Sequence, residues 1–253
     1  MERGSRAAVR AALGLSGIVV SLGLPALAPI CSVSRLFLGI TDRLADRTKV
    51  ALTFDDGPHP DGTPRVLDFL SETRTEATFF LVGEQVLKRP RLAAEIALRG
   101  HEIGLHGYEH RTLVRLTGRE LSEDLERAAY VIASATNRKP DLYRPPRGVF
   151  TYSGLAATRR LGLQPILWAA DGRDWRRRAT PNSICQRITG GLKGGEVILL
   201  HDADHYGSRG SWRNTLAALP LIVRELNSKE LTAVALHADL PICTFLPLTA
   251  PGQ

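Results

Sequence analysis

Five short apolar runs in this chain end in ionisable residues, and segments of helical period separate them. Residues 50–54 run into Asp55 and Asp56, and residues 102–105 lead to His106 and His110. Residues 142–143 lead to Arg144, 165–169 to Asp171 and Asp174, and 197–200 to His201 and Asp202. Short, continuously apolar runs bounded by turn residues read as buried strands. Among the intervening segments, Thr63 caps a helix with Pro64 at its first position, and Pro90 opens one that Gly100 closes. Thr117 and Glu120 form a capping box ahead of Leu121, Leu125, Ala128 and Ile132. Further helices are expected over 152–161, 181–190 and 212–226, and further strands over 77–82 and 232–236. Alternating strands and helices from Thr48 onward predict an α/β fold with a mostly parallel sheet wrapped by helices. An open doubly wound sheet and a closed barrel both fit that count.

In parallel α/β folds the C-terminal ends of the strands are where chemistry is done. Five strands delivering ionisable groups to one end are hard to explain as solvation. The i,i+4 spacing of His106 and His110 places both imidazoles on one side of a helical turn, as a shared metal needs. An Asp from a neighbouring strand completes a site of two His and one carboxylate, with a position left for water. Of the paired Asp55 and Asp56, one then ligates and the other takes a proton. His201 can protonate a leaving group, and Arg144 can hold the base carboxylate through a bidentate pair. Two His and one carboxylate also make the facial triad of non-haem iron oxygenases, but an added base and acid suit hydrolysis better.

Composition removes other classes. Apolar residues make up 43% of the 253 and charged residues 23%, which excludes disorder along the whole chain. The net charge of +7 comes from scattered basic residues rather than one stripe, so nucleic acid is not an expected partner. Three cysteines exclude a disulfide-stapled miniprotein. Cys31, Cys185 and Cys243 are expected as free thiols, with a Cys185–Cys243 bridge as the alternative.

The N-terminus differs from the rest. Arg3, Arg6 and Arg10 precede an uncharged run over 11–34, long enough to cross a bilayer. The expectation is a membrane anchor over 1–34 with the catalytic domain extracytoplasmic. A signal segment cleaved after Ala28, giving a secreted protein, is the alternative. A linker over 35–47, a catalytic domain over 48–240 and a tail over 241–253 follow.

The motifs resemble those of the polysaccharide deacetylases, carbohydrate esterase family four, with its chitooligosaccharide deacetylase homology domain. Thr53-Phe54-Asp55-Asp56-Gly57-Pro58 is similar to that family's first motif. His106-Gly107-Tyr108-Glu109-His110, Arg144-Pro145-Pro146-Arg147-Gly148, Asp171-Gly172-Arg173-Asp174-Trp175 and Leu199-Leu200-His201 follow in its order. The resemblance covers roughly residues 48–236. It implies a distorted (β/α)7–8 barrel of the TIM-like kind and metal-dependent removal of acetyl groups from N-acetylated glycans. It implies Asp55 as general base, and Asp56, His106 and His110 as ligands of a divalent metal, zinc or alternatively cobalt. It further implies Arg144 orienting the base, Asp174 orienting the general acid His201, and Trp175 and Leu199 walling the acetyl pocket. The backbone N–H near Arg147 would help to hold the oxyanion. A catalytically inactive, membrane-tethered glycan-binding protein is the alternative.

Two positions depart from the family pattern. Gly107 stands where a Ser or Thr hydroxyl usually braces the metal loop, and Arg147 stands where an aromatic is usual. Arg147 puts a charge beside the substrate. Arg173 and Arg176 to Arg178 form either an anion-attracting rim or a solvated loop. His59 and His205 read as loop histidines rather than ligands, and Trp212 as a helix–barrel packing residue. Asp171 either assists Asp174 or bonds its own loop.

Overall fold

The computed structural model describes residues 32–236 of the chain. The elements begin with helix α1 (Ser32–Phe37), β1 (Lys49–Asp55), α2 (Gly62–Glu72), β2 (Thr78–Leu81), α3 (Gly83–Lys88) and α4 (Pro90–Leu98). Then come β3 (Glu102–Leu105), α5 (Gly118–Thr136), β4 (Leu142–Tyr143), α6 (Tyr152–Arg160), β5 (Gln164–Pro165) and β6 (Ala170–Asp171). The last are α7 (Pro181–Thr189), β7 (Val197–His201), α8 (Ser211–Ser228) and β8 (Thr232–Val234). The strands pair in parallel in the order β5-β4-β3-β2-β1-β7-β6. β8 pairs with the first half of β1.

The sheet curls into a half-barrel. Among the described residues it is thus neither the open doubly wound sheet nor the fully closed barrel that the strand count allowed, but a curl between them. Period-two alternation then sorts the side chains. Val50, Leu52 and Phe54 face the helices, as do Phe79, Leu81, Ile103, Leu105, Tyr143, Ile198 and Leu200, and all are buried there. The alternate residues turn inward. Ala51, Phe80, Leu142 and Val197 fill the interior with Leu44, Ile166 and Leu236. Continuing that inward row to the strand ends brings Asp55, His106, Arg144 and His201 to one mouth. Gly104 fits the interior because a Cβ there would lie 2.5 Å from the Phe80 ring.

β5 and β6 do not pair with each other among the described residues, so the curl stays open there. The stretch 35–47, expected to be a linker, contributes to the domain at this opening. The Thr41 amide donates to the Pro165 carbonyl (3.0 Å), and the Leu167 amide donates to Thr41 (2.8 Å). On the other side the Val197 amide donates to the Asp42 carbonyl at 3.0 Å. Leu38, Ile40 and Leu44 are buried, which is why this polar-looking stretch does not run free.

The Thr117–Glu120 capping box forms, and Leu121, Leu125, Ala128 and Ile132 are buried on α5 as their spacing requires. Three local expectations change. α2 begins at Gly62 with Asp61 at its cap position, because the Thr63 hydroxyl donates to the Asp202 carboxylate instead. The single strand expected over 165–169 is two two-residue strands, split where the chain crosses the opening. α3 was not expected; its six residues are too few to show a period.

Cys185 is a buried free thiol, and Cys31 and Cys243 lie outside the described residues. Most of the apolar run 11–34 also lies outside them. Among the described residues no helix is long and apolar enough to cross a membrane. Trp212 is buried, with its ring 5.9 Å from that of His59.

Candidate active site

Asp55 and Asp56 are adjacent, and alternation alone would send them to opposite faces of β1. Asp56 has a φ of 77°, in the left-handed region. That conformation costs an L-residue of order 1 kcal/mol or more. It re-aims the second carboxylate into the same cleft as the first. The cleft has a volume of about 300 Å³ and is lined by Asp55, Asp56, His106, His110, Asp171 and His201, whereas Arg144, Asp174 and Asp202 lie behind its wall.

His106 and His110 do not share a helical turn, as their spacing had suggested. Residues 106–110 are a loop, opened by Gly107 at a φ of +87°. The two rings converge all the same, because the loop is held from three sides. The Gly83 and Glu84 amides, at the start of α3, donate to the carbonyls of Gly107 and Tyr108, both at 2.9 Å. The Tyr108 amide donates to Asp124 Oδ2 at 2.8 Å. These contacts supply the bracing that a hydroxyl at position 107 would give. A Cβ at that position would lie 3.2 Å from Asp124 Oδ2.

His106 Nδ1 faces the Arg144 carbonyl at 2.8 Å, so that nitrogen carries the proton and Nε2 keeps its lone pair. His106 Nε2 and His110 Nε2 lie 3.4 and 3.5 Å from Asp56 Oδ1. That oxygen is buried and has no hydrogen-bond partner among the described residues. Two imidazole lone pairs and an orphaned carboxylate oxygen fit a divalent cation. Burial raises the Asp56 pKa, but the neighbouring imidazoles outweigh it and hold it at about 2. Burial, with His106 and Arg147 nearby, lowers that of His110 to about 4. At neutral pH this pair is therefore a carboxylate and a neutral imidazole, as ligands must be.

Asp55 is held differently. Arg144 Nη1 donates to Asp55 Oδ1 at 2.6 Å and to Thr53 Oγ1 at 2.8 Å. The expected bidentate pair does not form, because Nη2 turns to the Leu167 carbonyl at 3.2 Å. The guanidinium is fully buried over the Phe80 ring, 4.1 Å from its centroid. Asp55 Oδ2 is left facing the cleft, 3.9 Å from His106 Nε2.

Across the cleft, His201 Nδ1 donates to Asp174 Oδ1 at 2.7 Å. Asp174 is fully buried and also accepts from the amides of His201 (2.7 Å) and Trp175 (3.0 Å) and from Thr215 Oγ1 (2.7 Å). Burial works against the imidazolium, but the Asp174 charge and hydrogen bond prevail and raise the His201 pKa to about 10. Its Nε2 points toward Asp56 Oδ2 at 3.9 Å.

Arg147, Trp175 and Leu199 all line the cleft. Arg147 is exposed with a φ of 62°, Trp175 is 41% exposed, and Leu199 is buried. The Arg176 guanidinium lies 5.2 Å from the Trp175 ring centroid. Asp171 bonds its own loop, accepting from the Arg173 amide at 2.8 Å, and not Asp174. Sequence reasoning missed two cleft residues, Trp168 and Tyr206, and the Thr53 contact to Arg144. Thr53 stood in the inward row two residues before Asp55, so alternation could have found it. Tyr206 follows the last motif in a loop, where no period operates.

His59, Asp204 and His205 form a second group whose ligand atoms lie within 4.8 Å. Its chemistry differs. His59 Nδ1 accepts from the amides of Asp61 (3.1 Å) and Gly62 (3.0 Å), so its Nε2 carries the proton and donates to Asp204 Oδ1 at 3.0 Å. His205 Nε2 donates to the Pro58 carbonyl at 3.3 Å. The group ties the loop after β7 to the loop after β1, and its protonated nitrogens are spent on that tie.

A polysaccharide deacetylase family profile matches residues 43–166. The chain is 35% identical over 184 residues to a peptidoglycan-N-acetylglucosamine deacetylase of Bacillus cereus, covering 71% of this chain and 82% of that one. It is 37% identical over 154 residues to a chitooligosaccharide deacetylase of a Bradyrhizobium species, covering 60% and 70%. Among solved structures, the Bc1960 peptidoglycan N-acetylglucosamine deacetylase superposes with a TM-score of 0.74 at 29% identity. That match covers 79% of this chain and 92% of the other.

Proposed function

The chain belongs to the polysaccharide deacetylases, enzymes of amide hydrolysis on N-acetylated sugars, and on that premise we propose how its own residues do it and on what. The substrate is an N-acetylated glycan of peptidoglycan or chitin type, as the relatives' names suggest. The observation that carries the reading is the buried, partnerless Asp56 Oδ1 facing two imidazole nitrogens.

Asp56, His106 and His110 would hold the divalent cation, zinc or cobalt, which supplies Lewis acidity to a water and to the acetyl carbonyl. Asp55 Oδ2 takes the proton of the attacking water. Arg144 holds Asp55 with its free oxygen turned to the cleft. The water oxygen bonds to the carbonyl carbon, and the backbone N–H near Arg147 stabilises the oxyanion. The C–N bond then breaks as His201 Nε2 gives its proton to the leaving nitrogen, and acetate and a free amine result. Asp174 keeps that imidazole charged and oriented until then. Leu199 and Trp175 wall the methyl group, and Arg147 borders the sugar.

An inactive glycan-binding protein is not favoured, since base, acid and all three ligands are present together. The apolar run 11–34 supports attachment to a membrane, with the catalytic domain on its outer side.

Acetate release from N-acetylated chitin oligomers and from peptidoglycan, with and without chelator, tests the reading. Release from at least one substrate is expected, abolished by chelator and restored by zinc or cobalt. Full activity of metal-free protein, or no release from any N-acetylated glycan, would overturn it.

A further inference from the structure

Both imidazoles beside Asp56 need a fixed ring plane if their Nε2 atoms are to meet one carboxylate oxygen. A ligating histidine is usually oriented through a hydrogen bond on its other ring nitrogen. His106 has one, from Nδ1 to the Arg144 carbonyl. Among the described residues no hydrogen bond reaches His110 Nδ1, although His110 closes a loop that Gly107 starts in a left-handed conformation. Instead the Tyr206 ring lies flat on the His110 imidazole, with centroids 4.1 Å apart and planes 10° apart. The His106 ring touches His110 only obliquely, at 5.4 Å and 48°.

Tyr206 is itself held. Its hydroxyl donates to Glu84 Oε1 at 2.6 Å and accepts from Gln85 Nε2 at 3.1 Å. Both residues belong to α3, the helix whose first two amides hold the Gly107 and Tyr108 carbonyls. One short helix thus fixes the backbone of the histidine loop and, through Tyr206, the plane of its last ring. The chain that carries Tyr206 is pinned by the His59–Asp204 hydrogen bond and by the Gly210 amide on Asp204 Oδ2 at 2.5 Å.

We infer that Tyr206 is a positioning residue for His110: its ring sets the imidazole plane, and its hydroxyl, tied to Glu84 and Gln85, keeps the ring from turning. The stack stands in for the orienting hydrogen bond that no described residue gives to His110 Nδ1. This rests on the reading of His110 as a cation ligand.

The test reads metal affinity rather than turnover. Zinc dissociation constants of the full chain are measured by competition with a chromophoric chelator, and the visible spectrum of the cobalt form reports ligand geometry. Tyr206→Phe keeps the stack and is expected within about threefold of wild type. Tyr206→Leu removes it and is expected to weaken zinc about tenfold or more, with an altered cobalt spectrum, as losses of ligand-orienting partners do. Wild-type affinity and an unchanged cobalt spectrum in Tyr206→Leu would overturn the inference. Should that variant not fold, Tyr206→Met keeps a comparable apolar volume without the flat ring and is likewise expected to weaken zinc about tenfold; no change would overturn the inference equally. His110→Ala separates the two layers of the argument. Wild-type zinc binding in that variant would remove His110 from the ligand set, whatever Tyr206 does.

Discussion

Arg144 and Asp55, 89 residues apart in the chain, meet inside the curled sheet at 2.6 Å, with the guanidinium fully buried. Their pairing ties down one carboxylate oxygen and leaves the other facing the cleft. A buried ion pair contributes little net stability, yet removing one partner leaves an uncompensated charge, at a cost of about 3–5 kcal/mol. Arg144→Met is therefore expected to lower unfolding free energy by about that amount in a denaturant titration. Its kcat/KM should also fall by up to about 10²-fold, because Asp55 loses the contact that turns its free oxygen to the cleft. An unchanged kcat/KM would show that Asp55 does not depend on Arg144.

His201 carries a pH prediction. Its pKa of about 10 lies above the value near 6.5 expected in the unfolded chain. The stability this gives is fully present below about pH 6.5 and is lost as pH rises through the folded value. A cation beside Asp56 cancels part of the elevation, so the alkaline limb of kcat in the loaded enzyme should lie below 10. Asp174→Asn removes the largest charge holding the proton and should lower that limb by about one unit or more. An unchanged alkaline limb would assign the acid to another group.

Arg147 tests substrate charge. It is exposed on the cleft rim, and Arg176 lies close by over Trp175. A guanidinium offers a plane, a fixed charge and donors, where an aromatic offers a sugar platform alone. Arg147→Tyr is expected to lose kcat/KM several-fold on an acetylated glycan carrying carboxylates, less so as salt is raised, and to keep its rate on neutral chitin oligomers. Equal effects on both substrates would make Arg147 a bystander.

How much of this was legible in the sequence depends on how each feature is encoded. Alternation encodes the inward row, so Asp55, His106, Arg144 and His201 could be placed at one mouth before any coordinates. Capping chemistry encodes the start of α5, and Thr117 and Glu120 form it as expected. Asp56 needed a left-handed backbone that no residue pattern announces. The histidine spacing suggested a helix, yet the same convergence comes from a loop held by α3 and Asp124. Residues 38–44 bury three apolar side chains at the opening of the sheet, where burial depends on strands more than 120 residues away. The Tyr206 stack on His110 joins two loops and has no local signature at all.

Attachment to a membrane is open to fractionation of the full-length protein. With residues 11–34 retained, the protein is expected in the membrane fraction and released only by detergent. Recovery as a soluble form beginning after Ala28 would show a cleaved signal instead.

The division of labour between adjacent carboxylates is the centre of the account, and Asp55→Asn tests it most directly. Asparagine keeps the shape of the side chain and its contact with Arg144 but cannot take a proton from water. Bound zinc and acetate release are measured on the same sample. The account predicts about one zinc per chain, as in wild type, with turnover lower by a factor of about 10² to 10⁴. A variant that binds no zinc, or that keeps its turnover, would contradict the assignment of Asp55 as base and Asp56 as ligand.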